Sequence, residues 1–232
     1  MLDDRKQTLL QSVIEEYVKT AQPVGSTLIA NKYMSELSSP TIRNEMQELE
    51  KEGFITQPHT SAGRIPTEAG YRFYIENLGD RDVSAVHQRS LEHAYGRDAS
   101  LASRGKDERI KSVAKKAAEL SQNATVVAFS PNDAYYTGLS NLFSKPEYER
   151  HDLVVNMSQV IDHLDKVMSK ISQRLDDDIS VLLGSDNPFG QECGLVMTLA
   201  KGGLVFGILG PMRMDYGENI AYVKFIKRLL ER

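Results

Sequence analysis

The sequence predicts an α+β protein in two parts, and three observations carry that expectation. Residues 1–78 show four helical patterns, the last set off by two short β-prone runs around a turn-rich loop. Residues 104–232 mix apolar strand-like runs with long amphipathic helices. Residues 79–103 between them are polar and weakly periodic, and read as a linker, helical at most around residues 86–93.

The first helix spans residues 3–20, where Leu9, Leu10, Val13, Ile14, Tyr17 and Val18 recur at three- and four-residue steps. The run Ala21-Gln22-Pro23-Val24-Gly25 ends it, and Ser26 is placed to cap a short second helix that buries Leu28 and Ile29. Ser39 before Pro40 marks the start of a third helix, because a proline in the first turn loses no hydrogen bond. Gly53 suits the left-handed position after its end. Residues 54–57 and 64–66 form a hairpin around the loop 58–63, and Thr67-Glu68 opens a fourth helix. Three helices, a hairpin and a helix follow each other in the order of a winged helix.

Beyond the linker, Ile110, Val113, Ala114, Ala117 and Leu120 define one amphipathic helix. Residues 151–175 define a longer one, with Val155, Val160, Ile161, Leu164, Val167, Met168 and Ile171 inward, and Asn219 onward a terminal one. Strands are expected at 125–129, 179–183, 193–199 and 204–209. Composition is that of a globular protein, with 41% hydrophobic and 26% charged residues. No apolar run reaches the ~20 residues of a membrane span, the start lacks a secretory pattern, and Cys193 stands alone. A cytoplasmic protein without disulfide or zinc cluster is expected.

Net charge is −4, and residues 1–78 hold 8 Lys and Arg against 11 Asp and Glu. A nucleic-acid partner must therefore depend on where the charges sit. On the third helix Ile42, Met46 and Leu49 share one face, which leaves Thr41, Arg43, Asn44, Gln47 and Lys51 towards solvent. Arg43, Gln47 and Lys51 form one row at four-residue spacing, suited to base edges in a major groove. The same spacing describes an ordinary solvated helix face. His59, Thr60, Ser61 and Arg64 of the hairpin loop offer hydroxyls, N–H groups and one guanidinium for phosphate or minor-groove contact. His59 has no nucleophilic or acidic partner specified by sequence, and the other histidines lack ligand spacing, so neither a triad nor a metal site is expected. Gly202-Gly203, Gly207 and Gly210 lack the pattern of a P-loop or dinucleotide site and read as turn and packing glycines. Neither cofactor nor catalysis is predicted. Cys193 reads as a small core residue.

Three stretches are more specific: Pro23-Val24-Gly25-Ser26 with Ser38-Ser39-Pro40-Thr41-Ile42-Arg43-Asn44-Glu45-Met46; Gln57-Pro58-His59-Thr60-Ser61-Ala62-Gly63-Arg64-Ile65-Pro66-Thr67 continuing to Gly70-Tyr71-Arg72-Phe73-Tyr74; and Gly210-Pro211-Met212-Arg213-Met214-Asp215-Tyr216. With Gly138-Leu139-Ser140-Asn141-Leu142 as a weaker companion, they make the chain resemble the HrcA family of bacterial heat-inducible transcription repressors. The likeness is dense over residues 5–78 and patchier, though collinear, over about 105–230. It implies a winged helix-turn-helix at 1–78 and a GAF-like regulatory and dimerising domain at 104–232. It also implies repression of the DnaK and GroE chaperone operons through an inverted repeat called CIRCE, with double-stranded DNA, a second copy of the chain and the GroEL chaperonin as partners. The DNA-contacting set expected is Ser26, Ser39, Thr41, Arg43, Asn44, Gln47, Lys51, His59, Thr60, Ser61 and Arg64. The chain departs from the family at Pro40, usually a small residue there. It departs again at residues 131–136, which join the first strand directly to Gly138 where the family carries further strands and a dimerising insertion. The rival expectation is a ligand-sensing or protein-interaction protein whose DNA module is vestigial.

Overall fold

The computed structural model describes residues 2–96, 105–130, 133–164, 167, 168, 171 and 179–232, and divides into two units, Met1–Gly79 and Asp80–Arg232. The first unit begins with α1 (Asp4–Thr20), capped by the Asp3 carboxylate, which accepts from the Lys6 N–H at 2.8 Å. Next come α2 (Ser26–Lys32) and α3 (Ser39–Lys51). A two-stranded antiparallel hairpin, β1 (Ile55–Thr56) and β2 (Ile65–Pro66), then leads into α4 (Glu68–Glu76). Leu9, Leu10, Val13 and Ile14 of α1 are buried with Ile29, Ile42, Leu49, Ile55 and Tyr71 in one core, whereas Leu28 of α2, expected to be buried beside Ile29, is 40% exposed.

Two caps differ from expectation by one residue. Gly25, not Ser26, precedes α2, and Ser26 is its first helical residue. Ser38, not Ser39, caps α3, its hydroxyl accepting from the Thr41 N–H at 3.3 Å. Pro40 becomes the second helical residue, still among the first four N–H positions that lack an intrahelical partner. The end of α3 is as expected: Gly53 has φ +84°, and the N–H groups of Gly53 and Phe54 donate to the Glu50 and Leu49 carbonyls at 3.0 Å.

The second unit starts earlier than expected. Within the stretch expected as a linker, the helix expected around residues 86–93 is present as α5 (Ala85–Ala94), capped by Ser84. It is packed, not loose, with Leu91 fully buried and Arg109 donating to the Tyr95 carbonyl at 2.7 Å while stacking on its ring. The weak periodicity reflects a helix that buries a single leucine. Residues 97–103 lie outside the described ones. After α6 (Lys106–Ser121), five strands form an antiparallel sheet: β3 (Ala124–Ser130), β4 (Asp133–Thr137), β5 (Ile179–Leu183), β6 (Cys193–Ala200) and β7 (Leu204–Pro211), ordered β4-β3-β7-β6-β5.

β4 lies where the sequence shows only a connection between the first strand and Gly138. It is an edge strand, with Tyr135 opposite Val127 and Tyr136 opposite Val126. An edge strand needs one neighbour only, so a short Tyr-Tyr-Thr run suffices despite its polar flanks. The β6–β7 turn is made by Gly202 and Gly203, both at φ above +80°, which is where glycine is required.

Ala124, Val126, Leu195, Met197, Val205 and Leu209 line one sheet face. They pack with Leu142 of α7 (Leu139–Phe143), Tyr148, Met157 of α8 (His151–Ile161), Leu164, Met168 and Ile171. α6 and the terminal α9 (Tyr216–Leu230) cover the opposite face, where Val127, Val196, Phe206 and Ile208 are fully buried. The predicted 151–175 helix is interrupted: α8 stops at Ile161, Asp162 and His163 turn, and Leu164, Val167, Met168 and Ile171 are helical again. Residues 172–175 lie outside the described ones. Val155, expected inward, is 39% exposed.

Cys193 is buried, as its apolar setting predicts, with its sulfur 3.3 Å from the Tyr148 hydroxyl. Arg213, which the sequence leaves without a role, pairs with Glu147 and ties the β7–α9 loop to the turn at Pro146–Glu149. Among the described residues no helix is long and apolar enough to cross a membrane.

Candidate nucleic-acid interface

The first unit carries a polar groove of about 430 Å³ between the start of α2, the exposed side of α3 and the hairpin loop. Its walls include Ser26, Thr27, Arg43, Gln47, Thr60 and Arg64, with Ser61 at the loop. Residues far apart in sequence meet there because Val24 pairs with Arg64 as a one-residue third strand, through reciprocal N–H···O bonds of 2.8 Å. Gly63 permits this approach: a Cβ there would stand 2.4 Å from the Val24 carbonyl oxygen.

Of the predicted residues, Ser26, Arg43, Gln47, Thr60, Ser61 and Arg64 line the groove together. Ser39 lies behind them, its hydroxyl 2.9 Å from that of Ser26 and 3.1 Å from that of Thr27. Thr41 bonds the capping Ser38 hydroxyl at 2.8 Å. Asn44 and Lys51 are exposed on α3, and His59 is exposed at the loop, none of them lining the groove. Thr27 and Gln57 were not singled out from the sequence. Thr27 directly follows Ser26, and the hydroxyl pair was the available signal. Gln57 donates to the Thr60 and Ala62 carbonyls at 3.0 and 2.9 Å and so shapes the loop, a role visible only once the loop is closed.

The electrostatics explain how an acidic chain presents this face. Lys6 of α1 lies 2.9 Å from Glu48 and 3.0 Å from Glu52, and the two carboxylates hold its ammonium well above the usual lysine range. The same contact holds the Glu48 carboxyl below its usual range. Arg5 Nε stands 2.6 Å from Glu45 Oε1, close enough for ion pairing although not aligned as a hydrogen bond. Glu50 takes Arg64 at 2.9 Å. The α3 carboxylates are thus each answered by a cation, whereas Arg43 and Lys51 enter no ion pair among the described residues. Arg64 was expected to present its charge to a ligand. Instead its side chain is 13% exposed and engaged by Glu50.

Several known proteins resemble this chain. A protein-family model described as HrcA protein C terminal domain matches residues 74–220. Heat-inducible transcription repressor HrcA of Acetivibrio thermocellus is 60% identical over 77 residues, 33% of this chain and 22% of that protein. Its namesake from Symbiobacterium thermophilum is 50% identical over 98 residues, 42% of this chain and 29% of that protein. The one from Roseiflexus castenholzii is 42% identical over 127 residues, 54% and 34%. The chain therefore matches about a third or less of the length of these relatives. A crystal structure of a hypothetical protein superposes with a TM-score of 0.79 at 17% identity, covering 100% of this chain and 98% of that one, and so shares the fold. A family model that spans more than half of the residues, together with these relatives, is decisive: the chain belongs to the HrcA family.

Proposed function

We propose that the chain is a sequence-specific DNA-binding transcriptional repressor whose first unit is a winged helix-turn-helix. In this reading α3 enters the major groove and the β1–β2 hairpin is the wing. The observation that carries it is the groove, where Arg43 enters no ion pair among the described residues while the carboxylates of α3 are paired off. Arg43 would donate to guanine and Asn44 or Gln47 to adenine. Lys51, the hydroxyls of Ser26, Thr27, Ser39, Thr41, Thr60 and Ser61, and His59 at the wing would hold phosphate or sugar.

The name shared by the relatives, heat-inducible transcription repressor, supports repression that heat relieves. Family resemblance extends this to DnaK and GroE chaperone operons under a CIRCE-type inverted repeat, with GroEL as modulator, in the cytoplasm. The second unit is read as a GAF-like regulatory domain, without catalysis or cofactor. An inverted repeat requires two-fold symmetry, hence a homodimer. Of the long helices of the second unit, α6 and α9 spend their apolar faces on the sheet, and α8 leaves Val155 outward, which favours α8 as the interface. Selection of bound sequences from random duplex DNA by the full chain tests the proposal. An inverted repeat bound with a steep salt dependence is expected. Failure to bind duplex DNA at low salt overturns it.

A further inference from the structure

Two guanidinium groups line the groove, Arg43 and Arg64, and the structure neutralises the second from within. Glu50 Oε2 lies 3.0 Å from Arg64 Nε and 2.9 Å from its terminal NH2, while Oε1 accepts the Gln57 N–H at 2.9 Å. Glu50 comes from α3 and Arg64 and Gln57 from the two arms of the hairpin, so one carboxylate spans the surfaces that would grip a duplex. Both partners are half-buried or better, at 31% and 13% exposure, where an ion pair is less screened than on an open surface.

This matters for discrimination between sequences. Attraction to any duplex grows with the number of phosphates that cations neutralise, whatever the bases. Selectivity is the ratio of specific to non-specific affinity, so a free arginine at the groove wall raises the wrong term.

We propose that Glu50 is a specificity-determining residue: by holding Arg64 it withholds one cation from the phosphate backbone and leaves discrimination to Arg43, Asn44 and Gln47. The inference rests on the DNA-binding reading of the groove. Its physical content is a sign. Losing a carboxylate that merely braced the hairpin would weaken binding to every duplex. Losing one that masks a cation strengthens binding to random DNA and erodes preference.

The test uses the full chain with Glu50→Gln, Arg64→Gln and the double variant. Each is titrated against the selected duplex and a random duplex over a salt series. Glu50→Gln keeps an oxygen for the Gln57 N–H but not the charge. It is expected to bind random duplex more tightly, with a salt slope steeper by about 0.9, so that its advantage shrinks about threefold between about 50 and about 200 mM salt. Arg64→Gln alone leaves the slope unchanged, because its charge is already answered. The double variant returns to wild-type non-specific affinity. An Arg64→Gln slope lowered by about one unit means that Arg64 already meets phosphate, and overturns the proposal. So does uniform weakening of all DNA by Glu50→Gln with an unchanged melting temperature. Absence of salt-dependent binding by the wild-type chain is a different result, since it removes the reading of the groove itself.

Discussion

The two units manage charge and apolar surface in opposite ways. In residues 1–79 an apolar core is ringed by ion pairs between distant elements: Arg5 with Glu45, Lys6 with Glu48 and Glu52, Lys32 with Glu16, Arg64 with Glu50. In residues 80–232 the sheet is apolar on both faces, one closed by α6 and α9 and the other by α7, α8 and the residues that follow α8. The first arrangement makes a surface whose properties one charge can retune. The second makes a core whose integrity depends on filled volume. Substitutions in the two units should therefore fail in different ways.

The largest expected effect lies in the second unit. Phe206 is fully buried at the sheet centre, and Phe206→Ala should cost about 3–5 kcal/mol through lost transfer energy and a residual cavity. Denaturant titration of the full chain reads it. A cost under ~1 kcal/mol would mean that the core collapses around the gap as no close-packed interior does.

Gly63→Ala tests whether any position in the first unit is equally limited by space. The added methyl meets Val24 backbone at 2.4 Å, so the Val24–Arg64 pairing must open, at about 1–3 kcal/mol and with loss of the groove. A thermal melt alongside DNA binding should show both losses, and one without the other would uncouple the pairing from the groove.

Arg43→Ala and Gln47→Ala should leave the melt alone, because both side chains are exposed. Each should weaken the selected duplex by about 1–3 kcal/mol while sparing random DNA. Equal losses on both duplexes would take base reading away from this row.

Ser38→Ala should cost about 1 kcal/mol of stability as the cap of α3, and Ser39→Ala clearly less. Equal costs would return the capping role to Ser39.

The smallest effect is a pH dependence. Glu16 is buried, and hydrogen bonds from Lys32 at 2.6 Å and Tyr33 at 2.7 Å hold its carboxyl below the usual carboxylate range. A depressed folded-state pKa stabilises above the ordinary carboxylate pKa, and that contribution is lost as pH falls through the folded value. Melting temperatures from neutral to acid pH should fall less steeply for Glu16→Gln than for the parent. Parallel curves would assign acid sensitivity to other groups.

How much of this was legible in sequence differs from element to element. Helix α3 was readable because Ile42, Met46 and Leu49 keep a strict period and Gly53 can occupy the left-handed position after it. Strands β5, β6 and β7 stood out as apolar runs between turn residues. β4 did not and α5 did so only faintly, because an edge strand and a helix with one buried leucine leave almost no periodic signal. Ser38 and Ser39 are indistinguishable by residue type, and only backbone geometry decides which hydroxyl meets the Thr41 N–H.

The sequence alone determined most local features: where the strongly periodic helices and the apolar strands lie, and which residues of α3 stay outside. Those depend on periodicity and on the conformational limits of Gly and Pro, which act within a few residues. Tertiary structure decided everything that joins distant residues: the Val24–Arg64 pairing, the hydroxyls of Ser26, Thr27 and Ser39 in one cluster, and the capture of Arg64 by Glu50. Charge acts through space, so an arginine that reads as free along the chain is neutralised by a carboxylate that folding brings within 3 Å.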